Sequence, residues 1–204
     1  MIKAVLFDYG GVLTKAGTKG SVEKSIAEYH KLKVDDISIE DLIDGIRRGQ
    51  INTSTFFQKL AEKYPSDNPM TEESFVSRHR EMSSQSTEVY ALAEKLRQSG
   101  IRTGILSNVF EMNAVMLRKI GAYEGFNPVI LSCEVKMAKP DLEIYKLAAE
   151  KLGVKPEEII FVDDQEKCWP PAEELGMRVV KAVTPAQIAH DVKSIIREKN
   201  SILL

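Results

Sequence analysis

Residues 4–14 read AVLFDYGGVLT: an apolar run that stops at one carboxylate, Asp8, and then at two glycines, Gly10 and Gly11. Four apolar residues in a row, Ala4 to Phe7, predict a strand buried on both faces, as in the interior of a parallel sheet. The glycines let the backbone turn sharply just beyond it. Asp8 is therefore expected at a strand end, beside exposed main-chain groups. An acid in that place can also merely cap the next turn, so the other strand ends decide what it is for.

Downstream, from Glu88, strands and helices alternate regularly. The helix VYALAEKLRQS closes at Gly100, the strand RTGILSN follows, and the helix EMNAVMLRKI closes at Gly121. The strand PVILSC comes next, then the helix DLEIYKLAAEKL up to Gly153, the strand EIIFVDD, the short helix PAEELG and the strand RVVKAV. A last helix is expected from Pro185 to about Lys199. This order predicts βαβ units on a parallel sheet that also contains the first strand.

Residues 15 to about 90 carry no β-branched, strand-like run and read as helices. Ser38, followed by Asp41 and by the apolar Ile39, Leu42, Ile43 and Ile46, has the spacing of a capped amphipathic helix that ends at Gly49. Others are expected over SVEKSIAEYHKL before it and from Thr53 after it, and past the break at Pro65 to Pro69 a fourth runs from Thr71 to about Met82. The fold class is thus α/β, a Rossmann-like parallel sheet with helices on both faces, with an all-helical insertion after the first strand. The core is expected over residues 1–16 and 90–204, and the insertion over residues 17–89.

At 204 residues the chain can bury a full core. Its 28 basic and 30 acidic side chains leave a net charge of −2, so no nucleic-acid partner is expected. No apolar run reaches the length of a membrane span. Two cysteines, Cys133 and Cys168, make no disulfide framework, and a cytoplasmic location is the expectation.

An open α/β sheet binds ligands outside the carboxyl ends of its strands. Reading the polar residues there gives Asp8, then Ser107 and Asn108, then Lys139 before Pro140, then Asp163 and Asp164. Each alone could be a cap or a solvated loop residue. Four such groups in this order are hard to explain as capping.

Those same residues, in FDYGGVL, LSN, AKPDLEIY and FVDD, resemble the four motifs of the haloacid dehalogenase-like hydrolase superfamily, over nearly the whole chain. The wording of KPDLEIYKLA and FVDDQEKCWPPAEELGM is most similar to its phosphatase branch, including the N-terminal phosphatase domain of soluble epoxide hydrolases and bacterial sugar-phosphate phosphatases. The resemblance implies a mobile helical cap and chemistry through a covalent aspartyl intermediate on Asp8. It implies Mg²⁺ as cofactor, held by Asp8, the main-chain carbonyl of Gly10 and Asp164, with Asp163 acting through a bound water. It further implies that Ser107 and the amide of Asn108 hold phosphate oxygens, and that Lys139 neutralises both the phosphate and Asp8. The partner is then a small phosphorylated molecule, and the protein a monomer or weak homodimer.

Elementary chemistry agrees, because a phosphoryl dianion facing three carboxylates would be repelled without a hard cation among them. Two positions depart from the family pattern. Gly10 stands where most of its phosphatases carry a second Asp as general acid and base, and a lost acid costs about 10²- to 10⁴-fold in rate. Cys168 stands where relatives often have Asn, and reads as a small buried residue. A metal-free haloacid dehalogenase and a non-catalytic binding protein stay open as alternatives. The substrate itself is not readable.

Overall fold

The computed structural model describes residues 1–14, 21–82 and 84–200. Five parallel strands form one sheet: β1 (Ala4–Phe7), β2 (Arg102–Ser107), β3 (Val129–Leu131), β4 (Ile159–Asp163) and β5 (Arg178–Lys181). Their order is β3-β2-β1-β4-β5, so β1 lies in the middle and the winding reverses between β1 and β4. Phe7 pairs in register with Ile105 on one side and Val162 on the other. That register brings the ends of β1, β2 and β4 to one edge.

The helices are α1 (Ser21–His30), α2 (Glu40–Arg47), α3 (Thr53–Lys63), α4 (Glu72–Met82), α5 (Thr87–Gln98), α6 (Glu111–Lys119), α7 (Ser132–Val135), α8 (Leu142–Leu152), α9 (Trp169–Glu174) and α10 (Pro185–Asn200). Period-two alternation divides β1 between two cores. Val5 and Phe7 face a cluster with Leu92, Leu96 and Val192 of α5 and α10. Ala4 and Leu6 face the other, with Ile144, Tyr145 and Ala148 of α8. This is why the strand is uniformly apolar rather than alternating. Among the described residues no helix is long and apolar enough to cross a membrane.

Helices α1 to α4 bury a third cluster of their own, centred on Phe56, Phe75, Ile26 and Ile46. Phe110 and Met112, just past the end of β2, join it; the Phe75 and Phe110 rings stack with centroids 5.8 Å apart. A buried ring of this kind contributes about 1.5–3 kcal/mol by area alone, so the aromatic group fastens the insertion above the carboxyl edge of the sheet. Where the chain returns, Thr14 bridges Gln85 and the Ser86 N–H donates to the Leu13 carbonyl at 2.8 Å. The expected start of the insertion, at residue 17, lies outside the described residues.

Two local expectations are corrected. The helix after Ser38 begins at Glu40, with Ile39 as the residue before it and no side-chain cap, because Ser38 meets the Glu40 carboxylate at 3.5 Å instead of a backbone amide. The strand expected over PVILSC covers only Val129–Leu131. Ser132 turns the chain into α7, and its hydroxyl accepts a 3.0 Å hydrogen bond from the Val109 N–H.

Candidate active site

Asp8 leaves β1 with its own N–H donating to the Val162 carbonyl at 2.8 Å, so the sheet fixes its backbone. The following turn, Tyr9–Leu13, closes with the Thr14 N–H donating to the Tyr9 carbonyl at 3.2 Å. Within it Gly10 takes φ −71°, ψ 129°, an ordinary extended conformation, while Gly11 takes φ +74°. Only Gly11 thus uses the freedom particular to glycine.

Lys139 reaches the same place from the loop before α8 and is fully buried. Its Nζ lies 3.0 Å from Asp8 Oδ1 and 2.5 Å from Asp163 Oδ2. Its backbone is clamped from β2: the Lys139 N–H donates to Asn108 Oδ1 at 2.9 Å, and Asn108 Nδ2 donates to the Lys139 carbonyl at 2.8 Å. Burial disfavours the ammonium, but Asp163 and Asp8 more than offset this and raise its pKa. The lysine is a fixed cation.

The two acids after β4 differ. Asp163 is buried, ion-paired through one oxygen to Lys139 and accepting the Gln165 N–H at 2.7 Å through the other. Asp164 is less buried and lies against Gly11. Asp8, Asp163 and Asp164 each offer an oxygen within 4.8 Å of the others. Among the described residues the cluster brings together three carboxylates and one ammonium. Burial foremost, then Asp163 and Asp164, push the Asp8 carboxyl up to about 7 against the pull of Lys139. An all-oxygen, carboxylate-rich donor set is what a hard divalent cation takes. The residues present fit Mg²⁺.

All hydrogen bonds and ion pairs of the Asp8 carboxylate among the described residues fall on Oδ1, which also accepts the Tyr9 N–H at 2.7 Å. Oδ2 carries none of them. Asp8 opens onto a cavity of about 100 Å³ whose polar wall includes Ser107, Asn108 and Gln165. At about 10–15 Å³ per water-sized group, this holds about seven to ten such groups.

A family model for haloacid dehalogenase-like hydrolases matches residues 2–172. The chain belongs to that family. It is 27% identical over 185 residues to the putative phosphatase YhcW of Bacillus subtilis, covering 88% of this chain and 83% of that one. It is 33% identical over 89 residues to the glyceraldehyde 3-phosphate phosphatase of Methanocaldococcus jannaschii, covering 43% of this chain and 39% of that one. Among solved structures, the magnesium complex of a family enzyme from Bacteroides thetaiotaomicron is 26% identical with a TM-score of 0.71, covering 88% of this chain and 92% of that one. The chain spans far less than two thirds of some curated relatives, 19% of the mouse acyl-CoA dehydrogenase family member 10 for one.

The six residues singled out from strand ends thus meet at one edge of the sheet, with Gly10 in the turn between them. Cys168 is fully buried, with burial pushing its thiol up to about 12, and its carbonyl accepts the Tyr145 hydroxyl at 2.8 Å. Among the polar cavity residues that sequence reasoning passed over are Arg47 of α2, Asn113 of α6 and Gln165. For Arg47 a signal existed: it stands four residues after Ile43, on the continuation of the buried stripe, where a cation is out of place.

Proposed function

We propose that this hydrolase is a Mg²⁺-dependent phosphatase that cleaves a small phosphomonoester through a phospho-aspartate on Asp8. The observation that carries this reading is Asp8 itself, anchored through Oδ1 by Lys139 and the Tyr9 amide, with Oδ2 unengaged at the mouth of a cavity sized for a phosphoryl group. The phosphatases among its relatives support the same chemistry.

The Asp8 carboxylate attacks phosphorus in line, the P–O bond to the alcohol breaks, and the leaving oxygen takes up a proton. Water then attacks the phosphorus of the acyl phosphate, releasing inorganic phosphate and restoring Asp8. Ser107 and the Asn108 amide hold phosphoryl oxygens, while Lys139 balances charge on Asp8 and the phosphoryl group. Asp8, Asp164 and the Gly10 carbonyl would hold Mg²⁺, which when bound screens the phosphoryl oxygens from the carboxylates. Asp163 is committed to Lys139 and the Gln165 amide, so its part is to fix the lysine, with any contact to the cation through water. Helices α1 to α4 serve as the cap: Val22 and Arg47 line the cavity together with Asp8.

The experiment is hydrolysis of p-nitrophenyl phosphate and acetyl phosphate with and without Mg²⁺, for wild type and Asp8→Asn. Mg²⁺-dependent turnover should be abolished in the variant, and the Asp8 peptide of quenched wild type should carry one phosphoryl group by mass. Turnover that survives full metal removal, or survives in Asp8→Asn, overturns the reading.

A further inference from the structure

Arg47 enters the cavity from the last turn of α2, half-buried, its guanidinium 5.9 Å from the centre of the Phe110 ring. It forms no side-chain hydrogen bond and no ion pair among the described residues, and its burial makes an unpaired cation costly. Burial lowers its pKa, with Glu23, Asp44 and Asp8 opposing this through space, yet none of the three closes an ion pair with it within 4.0 Å. The neighbouring arginine behaves differently. Arg48 forks onto Asp141 at the start of α8 and also holds Asp44. The tie from Arg48 to the core thus fixes the end of α2 and points its neighbour inward with nothing to bind.

Asn113 lines the same cavity from the core, and its Oδ1 is a buried acceptor without a hydrogen-bond partner. Such an orphan is rare, since buried polar groups are nearly always satisfied. The rest of this wall is apolar, with Val22, Phe110, Met116 and Leu117. The phosphoryl end of the site, at Asp8, Ser107 and Asn108, already has its own partners. A second, separate demand therefore exists for an anion at Arg47 and a donor at Asn113.

Resting on the phosphatase reading above, we propose that Arg47 and Asn113 select the leaving group: a short phosphorylated acid whose carboxylate pairs with Arg47 and whose hydroxyl donates to Asn113 Oδ1. The small cavity limits the carbon chain between phosphate and acid to about two or three atoms. Charged hydrogen bonds in such a site are worth about 10- to 100-fold in binding, and a neutral one about tenfold or less. Arg47 acts as a specificity residue here, not in the chemistry of the phosphoryl group.

The test is kcat/KM, with Mg²⁺, on four esters of matched length: glyceric acid 3-phosphate (acid and hydroxyl), 3-phosphooxypropionate (acid alone), glycerol 1-phosphate (hydroxyls alone) and propyl phosphate (neither). Wild type should favour the acids over their neutral partners by about 10- to 100-fold. Arg47→Gln should erase that ratio and keep the hydroxyl ratio, and Asn113→Leu should do the reverse. Ratios within one variant do not depend on the fraction folded. A wild-type acid ratio near one, or an Arg47→Gln variant slowed equally on all four esters, overturns the proposal while p-nitrophenyl phosphate turnover leaves the phosphatase reading standing. Failure to hydrolyse any of these esters, p-nitrophenyl phosphate included, overturns both.

Discussion

A methyl group placed on Gly11 would lie 2.5 Å from Cγ of Asp164 and closer still to one of its oxygens. Gly11 also holds φ +74°, which other residues adopt only at a cost of about 1–2 kcal/mol. The turn after β1 thus touches the acid after β4 with no room to spare, and the fit exists only because position 11 has no side chain. Gly11→Ala should push the Asp164 carboxylate out of the cluster. We expect Mg²⁺ affinity to fall by about 10- to 100-fold, as when metal-site support is lost, with only a small drop in thermal stability. Calorimetric Mg²⁺ titration of the two proteins decides it, and unchanged affinity would remove Asp164 from the ligand set.

Lys139 is the only cation in ion-pair contact with the buried acids among the described residues, touching Asp8 and Asp163 at once. Removing one partner of a buried charge network leaves uncompensated charge, at a cost of about 3–5 kcal/mol. For a chain of this length that corresponds to a loss of roughly 6–20 °C in Tm. Lys139→Met should show this loss in metal-free protein, and adding Asp163→Asn should recover part of it. Equal stability of single and double variants would mean that the two side chains are not energetically coupled.

The Arg48–Asp141 pair ties the insertion to the core, and its pH dependence has a definite sign. Hydrogen bonding from Arg48 holds the Asp141 carboxyl below its ordinary value of 3.8. The contribution is therefore fully present above pH 3.8 and is lost as pH falls through the lower, folded-state value. Both side chains are partly exposed, so at neutral pH it amounts to less than about 1 kcal/mol and shrinks with salt. Wild type should exceed Asp141→Asn in denaturant midpoint at pH 7 and low salt, and the two should converge toward acid pH. A gap that persists unchanged in molar salt would point to packing rather than charge.

Much of this was legible before any coordinates, for a physical reason. Buried parallel strands are uniformly apolar, so the sheet and the polar residue ending each strand stand out, as with Asp8 after AVLF and Asp163 after IIFV. Side-chain contacts between distant segments leave no such trace. Whether Asp163 or Asp164 takes Lys139 depends on which way each side chain leaves its strand end, and FVDD reads the same in both cases. Ser38 had the spacing of a cap, but capping depends on backbone geometry that spacing does not encode. Arg47 left a trace in its place on the apolar stripe of α2, but an arginine near a helix C-terminus ordinarily faces water, and it is the packing of α2 above the sheet that turns it inward.

The turn after β1 also bears on the missing acid. Gly10 occupies φ −71°, ψ 129°, a region open to any residue, so a carboxylate can be introduced there without backbone strain. Without a positioned proton donor the leaving oxygen departs with more of its negative charge, and the barrier should depend steeply on the stability of that oxyanion. Wild type should therefore hydrolyse aryl and acyl phosphates much faster than alkyl phosphates. Hydrolysis of the phospho-aspartate would lack its base as well, so the intermediate should accumulate and be trappable. Gly10→Asp should raise kcat/KM on alkyl phosphates by up to about 10²-fold and change aryl phosphates little. The measurement is kcat/KM for phosphate esters of graded leaving-group pKa, in both proteins. A flat dependence in wild type would show that another group, delivered by the helices above the sheet, already donates the proton, and Gly10→Asp would then bring no gain.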